Sequence, residues 1–229
     1  MILTRDLRKS FGPVQALAGL SFAMAEGELA ALLGANGAGK STLLRLISGL
    51  SRPSSGSAEV AGFDVRRQPQ EVRRRIGVVS HQTFLYEDLS AEENLHFYGR
   101  MYSVAGLQER SDELLAMMEL WPRRTDLVRT FSRGMQQRLA LARAMLHQPT
   151  VLLLDEPFTG LDLHAIDLLT SFIEEASAGR VTVLMTLHDP DYALAHSRRL
   201  FVLHQGRLVI DQPSEQVRKG DILPFFREK

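Results

Sequence analysis

The sequence of 229 residues contains no cysteine. That excludes a disulfide framework, a thiolate metal site and a cysteine nucleophile, and it makes the cytosol the default compartment. Neither sign of charge is in surplus: 27 Lys and Arg face 27 Asp and Glu, a formal net charge of zero. Affinity for nucleic-acid backbones comes from a basic excess, so no nucleic-acid partner is expected. Long apolar runs are missing as well. A membrane-spanning helix needs about 20 consecutive apolar residues, whereas the best runs, Leu29 to Leu33 and Val151 to Leu154, stop at Gly34 and Asp155. The stretch Met1 to Ser10 carries Arg5, Asp6, Arg8 and Lys9 where a signal peptide would be apolar. With 45% apolar residues the chain reads as globular, of one or two domains.

The pattern along the chain predicts an α/β protein. Met1 to Leu7 and Leu20 to Ala25 read as β-rich runs, and Leu29 to Leu33 as a strand buried on both faces. Thr42 to Leu50 follows as a helix, ended by a loop with Pro53. Short strands are expected around Gly62, a helical turn over 69–75 and a buried strand at Ile76 to Ser80. From Ser90 to His147 the pattern is helical, opened by Ser90 and Glu93 as a capping box. Strands return at Val151 to Leu154 and Val181 to Met185 with a helix between them, and a hairpin over 200–210 turns at Gln205 and Gly206. This predicts one domain over 1–229, with an α/β core (1–89 and 148–229) interrupted by a helical subdomain (90–147).

Gly34-Ala-Asn36-Gly37-Ala38-Gly39-Lys40-Ser41-Thr42 matches the Walker A pattern G-x-x-x-x-G-K-[ST] in full, between an apolar strand and a helix. Glycines let backbone N–H groups curl around a phosphate, and the helix N-terminus adds its positive end. Lys40 supplies a point charge between the β- and γ-phosphates, and Ser41 a hydroxyl for Mg²⁺. The chain is therefore expected to bind a nucleoside triphosphate. Val151 to Leu154 delivers Asp155 and Glu156 at a strand's C-terminal end, where open α/β sheets collect ligands. In this Walker B arrangement Asp155 would hold Mg²⁺ and Glu156 would orient and deprotonate water.

Phe131-Ser132-Arg133-Gly134-Met135-Gln136 opens a helix with Ser132 as N-cap. The segment resembles the signature of ABC ATPases, usually Leu-Ser-Gly-Gly-Gln. The resemblance extends over essentially the whole chain: Phe11 falls at the adenine-stacking aromatic, Gln82 at the Q-loop, Gly160-Leu161-Asp162 at the D-loop and His188 at the switch histidine. It implies a P-loop NTPase core, a mixed sheet with flanking helices and an N-terminal antiparallel β part, carrying an inserted α-helical subdomain. It implies ATP and Mg²⁺ as cofactors, with Ser41, Gln82 and Asp155 serving the metal, and as catalytic residues Glu156 the general base, His188 the γ-phosphate sensor and Gln82 the link from Mg²⁺ and the attacking water to the transport partner. Phe11, the phosphate loop, Ser132, Gly134, Gln136 and Asp162 would contact nucleotide, the last four in a head-to-tail pair of copies. Arg133 and Met135 depart from the usual signature and put its later contacts in doubt.

The resemblance further implies a transport ATPase acting as a homodimer with integral membrane permease subunits, peripheral on the cytoplasmic face of the cell membrane. The apolar loop Thr83 to Leu89 is the expected seat of the permease. The stretches 81–102 and 131–135 look most like haem exporter subunits of cytochrome c maturation; drug or polysaccharide exporters are the alternatives, and a soluble ATPase of translation or DNA repair a further one.

Overall fold

The computed structural model describes residues 1–80 and 82–226. The chain opens with strands β1 (Ile2–Phe11), β2 (Val14–Met24) and β3 (Leu29–Leu33), then helix α1 (Lys40–Ile47), β4 (Ser55–Val60), β5 (Phe63–Asp64), α2 (Pro69–Arg73) and β6 (Ile76–Val79). Helices α3 (Ala91–Met101), α4 (Leu107–Met117) and α5 (Arg133–Met145) follow with no long strand between them. The rest alternates as β7 (Val151–Asp155), α6 (Leu163–Ala178), β8 (Thr182–Thr186), α7 (Pro190–His196), β9 (Arg199–His204), β10 (Arg207–Pro213) and α8 (Lys219–Ile222).

Two sheets result. One is antiparallel, in the order β2-β1-β4-β5; the other has six strands in the order β10-β9-β3-β8-β7-β6. In the second, β3 runs parallel to both β8 and β9, and β7 to both β6 and β8, while β10 closes one edge antiparallel to β9. Alternating side chains of its central strands feed two cores. Leu29, Ala31, Leu33, Leu152 and Leu154 join the helical insert, α6 and the C-terminal residues, whereas Ala30, Leu32, Leu153 and Leu184 pack with α1 and the antiparallel sheet. Burial on both faces explains why these strands are continuously apolar. The fold class is that expected from the sequence, and all parallel strands end on the same side of the sheet, where the phosphate loop lies.

The helical insert is fastened at both ends. Ser90 caps α3 by accepting from the Glu93 N–H at 3.1 Å while the Glu93 carboxylate accepts from the Ser90 N–H at 2.7 Å. At the other end His147 Nε2 bonds the Ile76 carbonyl at 3.0 Å, and its ring stacks on Tyr102 with centroids 4.0 Å apart.

The N-terminal region differs from the sequence expectation. In place of two short runs separated by irregular chain, β1 and β2 form one long hairpin reaching Phe11 and Val14. Register shifts interrupt the pairing at three places, and Asp6 sits at φ +46° with its N–H bonded to Ser21 Oγ at 2.9 Å. Each bulge resets the inward and outward alternation, so the period of two is lost over residues 8–19 although the pairing continues. Within the stretch from Ser90 to His147 that reads as helical, α4 stops at Met117 and Glu119 turns to φ +53°.

Candidate nucleotide site

The apolar run of β3 ends at Gly34, whose φ is +150° and where a Cβ would lie 2.3 Å from the Leu203 carbonyl oxygen. Only glycine lets the chain leave the strand beside β9. The loop then bends over a concavity of about 180 Å³ lined by Ala16, Asn36, Gly37, Lys40, Ser41 and Glu156 among others. Nothing lies within 4 Å of a Cβ placed on Gly37, so its backbone is open to a ligand. Lys40 is buried, and Nζ donates to the carbonyls of Gly34 at 2.7 Å and Ala35 at 3.3 Å. Burial pushes this ammonium below the ordinary lysine range, with Glu156 and Asp155 pulling it back up. It forms no ion pair among the described residues, and α1 has no acid in its first turn and no side-chain cap. A buried cation and uncapped N–H groups at one helix N-terminus fit a polyanion such as a triphosphate.

Opposite the cradle, β7 and β8 lie in register at Asp155 and Thr186. Thr186, fully buried, donates through Oγ1 to Asp155 Oδ1 at 2.7 Å and accepts from the Glu156 N–H at 2.9 Å. Ser41 Oγ donates to the same Asp155 oxygen at 3.3 Å. Glu156 adopts φ +54° and meets His188 Nε2 through Oε1 at 2.5 Å. The hydroxyl of Ser41 and the carboxylate of Asp155 are hard oxygen donors of the kind Mg²⁺ takes. Thr186 is a site residue that sequence reasoning misses. Its only signal there is a hydroxyl at the end of an apolar run, two residues before His188.

The other expected site residues lie further out. Phe11 sits at the tip of the β1–β2 hairpin, exposed, with Lys9 Nζ 4.8 Å from its ring centroid; Ala16 of the same hairpin lines the cradle. Gln82 is exposed, its carbonyl accepting from Ser80 Oγ at 2.6 Å. Ser132 caps α5 by accepting from the Met135 N–H at 3.3 Å, and Gly134 packs near Ala165 and Leu161. Asp162 caps α6 through the Ala165 N–H at 2.8 Å. Gln136 turns inward, its Nε2 3.5 Å from the carbonyls of Val128 and Phe131. The Arg133 side chain lies over Gly160, its Nε 3.1 Å from where a Cβ would be. Arg133 and Gly134 thus meet the segment from Gly160 to Ala165, and none of Ser132, Gly134, Gln136 and Asp162 lines the cradle.

Residues 17–159 match the family model described as ABC transporter. The ATP-binding protein NatA of Bacillus subtilis is 34% identical over 94% of this chain and 91% of its own length. The daunorubicin resistance ATP-binding protein DrrA2 of Streptomyces coeruleorubidus is 38% identical over 93% of this chain and 66% of its own length. The Nod factor export ATP-binding protein I of Ralstonia nicotianae is 35% identical over 99% and 75%. Among solved structures, an ATP-binding subunit of an ABC transporter superposes with a TM-score of 0.89 at 30% identity, covering 96% of this chain and 93% of that one. A dimeric post-hydrolysis state of the cassette MJ0796 bound to ADP and Pi gives a TM-score of 0.82 at 27% identity, covering 93% and 99%. No haem exporter is among these relatives, and the likeness of 81–102 and 131–135 to such subunits gives way to drug-resistance and Nod factor proteins. With its phosphate cradle, paired carboxylates and whole-chain similarity, the chain belongs to the ABC transporter family as an ATP-binding subunit, an ATPase that works with ATP and Mg²⁺.

Proposed function

We propose that two copies of this chain hydrolyse ATP at composite sites and thereby drive an exporter whose membrane passage is formed by other subunits. One observation carries the hydrolytic part. Glu156 borders the same concavity as Gly37 to Thr42 and meets His188 at 2.5 Å, which supports reading Glu156 as the base and His188 as the group that orients it. In this reading Gly34 to Thr42 hold the phosphates, with the Asn36, Gly37, Ala38 and Gly39 backbone around them and Lys40 neutralising charge. Phe11 stacks on the base. Ser41, Asp155 and Gln82 serve Mg²⁺, which would neutralise charge developing on the phosphate oxygens. Glu156 takes the proton of the attacking water, and His188 senses the γ-phosphate.

The signature residues Ser132, Gly134 and Gln136, with Asp162, stand outside the cradle of their own chain. A second copy placed head to tail would bring them to the nucleotide, and the likeness to a dimeric cassette supports that arrangement. Because both Glu156 and His188 are present, a homodimer suffices.

For the membrane partner, the support is a groove of about 370 Å³ between insert and core, walled by Leu50, Val78, Phe84, Tyr98, Tyr102 and Arg143. Phe84 in its wall is 58% exposed, and Tyr86, two residues further along the chain, is 47% exposed, apolar surface of the kind partners cover. Among the described residues no helix is long and apolar enough to cross a membrane, so attachment through this surface would make the chain peripheral, on the cytoplasmic face. The relatives named for daunorubicin resistance and Nod factor export favour a drug exporter or a Nod-factor-type exporter over a haem exporter.

The test is Glu156→Gln. Turnover should fall about 10²- to 10⁴-fold while ATP still drives dimer formation, read by light scattering on a sizing column. Near-normal turnover would remove Glu156 from its role, and a monomer at saturating ATP would remove the composite site.

A further inference from the structure

Arg143 lies in α5, ten residues beyond Arg133, and its side chain is buried at the seam between insert and core. A buried guanidinium is ordinarily paired with a carboxylate. Among the described residues this one forms no ion pair. It spends its donors on backbone carbonyls instead: Nη1 to Thr83 at 2.8 Å and Nη2 to Val78 at 2.9 Å. The ring of Tyr98 lies 5.1 Å from its central carbon, and the Tyr98 hydroxyl donates to the Phe84 carbonyl.

The two carbonyls flank Gln82. Val78 belongs to β6, which pairs with β7 so that Val79 stands opposite Leu154, next to Asp155. Thr83 directly follows Gln82. The chain thus leaves the sheet beside the strand of Asp155, and Arg143 grips it before and after Gln82. The same guanidinium forms part of the wall of the groove described above.

We infer that Arg143 is a positioning residue: by tying the Thr83 and Val78 carbonyls to α5 it sets where Gln82 stands relative to Asp155 and the metal. This rests on the reading that Gln82 serves Mg²⁺ and the attacking water. A guanidinium suits the task because its planar fork reaches two carbonyls at once. An ammonium reaches one.

The test is a double-mutant cycle on the full chain with Arg143→Gln, Gln82→Ala and the pair, reading kcat, the Mg²⁺ concentration for half-maximal rate, and affinity for ATP without metal. Arg143→Gln should lower kcat by about 10- to 100-fold, the scale of a misplaced catalytic group, and raise the Mg²⁺ requirement. Metal-free ATP affinity should stay within about twofold, since the cradle is untouched. Arg143→Lys should recover part of the rate. Once Gln82 is Ala, adding Arg143→Gln should cost little more, because both changes act on one element.

Additive effects in the double variant, or normal kcat and Mg²⁺ dependence in a folded Arg143→Gln, overturn the assignment. Normal kinetics in Gln82→Ala would instead remove Gln82 from the site, a separate failure that takes the positioning role with it. If Arg143→Gln does not fold, Arg143→Lys serves in its place: its ammonium reaches only one of the Thr83 and Val78 carbonyls, so kcat should fall and the Mg²⁺ requirement rise in the same direction, and parent-like values of both overturn the inference.

Discussion

Replacing Thr186 by Val removes one hydroxyl and keeps nearly the same shape. That hydroxyl serves both acidic positions: it donates to Asp155 Oδ1 at 2.7 Å and accepts from the Glu156 N–H at 2.9 Å. A hydrogen bond to a charged group contributes about 1.5–3 kcal/mol, and a buried N–H left without an acceptor costs about 1–3 kcal/mol. The sum is an upper figure, because Asp155 keeps its bond from Ser41 at 3.3 Å. A loss of about 2–4 kcal/mol is expected, which for a chain of this size lowers the melting temperature by about 4–16 °C. Glu156 adds to the sensitivity. Its φ of +54° is a conformation that costs a non-glycine residue about 1–3 kcal/mol and persists only where neighbours enforce it. Without the Thr186 acceptor the peptide can relax and move the carboxylate, so turnover should fall along with stability. Urea unfolding supplies the first quantity and steady-state ATPase the second. Thr186→Ser is the control: it keeps the hydroxyl and loses one methyl group, about 1 kcal/mol, with activity largely kept. A Thr186→Val protein within about 0.5 kcal/mol of the parent, the scatter of ordinary surface changes, would refute the reasoning.

Two further outcomes follow from buried charge. Lys40→Met should leave the nucleotide-free fold within about 1 kcal/mol of the parent, because the buried ammonium it deletes is unpaired. The gain of about 2.7 kcal/mol that ATP gives at a hundredfold its Kd should vanish, and thermal melts with and without Mg-ATP read both effects. His147 governs an acid limit: burial holds its imidazole below 6.5, with the Ile76 bond opposing and Arg143 reinforcing the depression. As pH falls through 6.5 the unfolded chain takes up a proton that the folded chain refuses, so stability is lost by up to about 1.4 kcal/mol per pH unit. Urea midpoints at several pH values should show that loss, and His147→Phe, which keeps a ring against Tyr102, should flatten it.

Legibility from sequence tracks how local each feature is. The phosphate loop and the carboxylate pair are contiguous segments framed by strands buried on both faces, so Gly34 to Thr42 and Asp155-Glu156 stand out from residue order alone. Ser90 and Glu93 read as a cap for the same reason. Thr186 does not stand out, because its meaning comes from the register that places it beside Asp155. Nor does Arg143, since nothing in Ala142-Arg143-Ala144 tells that its donors close on carbonyls 60 and 65 residues away. The hairpin over 8–19 escapes sequence reading because bulges erase the alternation that marks a strand. Cargo is the furthest from the sequence: neither the cradle nor the carboxylates touch it, and short stretches of likeness point to haem where whole-chain relatives point elsewhere.

The position of β3 has a consequence for how the chain is made. This strand carries the phosphate loop, is complete by residue 33, and lies between β8 and β9, which begin only at Thr182 and Arg199. Throughout synthesis of the intervening residues its backbone has no partner on either side within that sheet. The Ala38 carbonyl likewise waits for the Gly206 N–H, 3.0 Å away in the finished fold. Contacts so distant in sequence form slowly. A growing chain therefore carries an apolar strand and an incomplete phosphate loop in need of protection until β8 and β9 have been made, and it becomes able to hold a nucleotide only once Gly206 can close on Ala38.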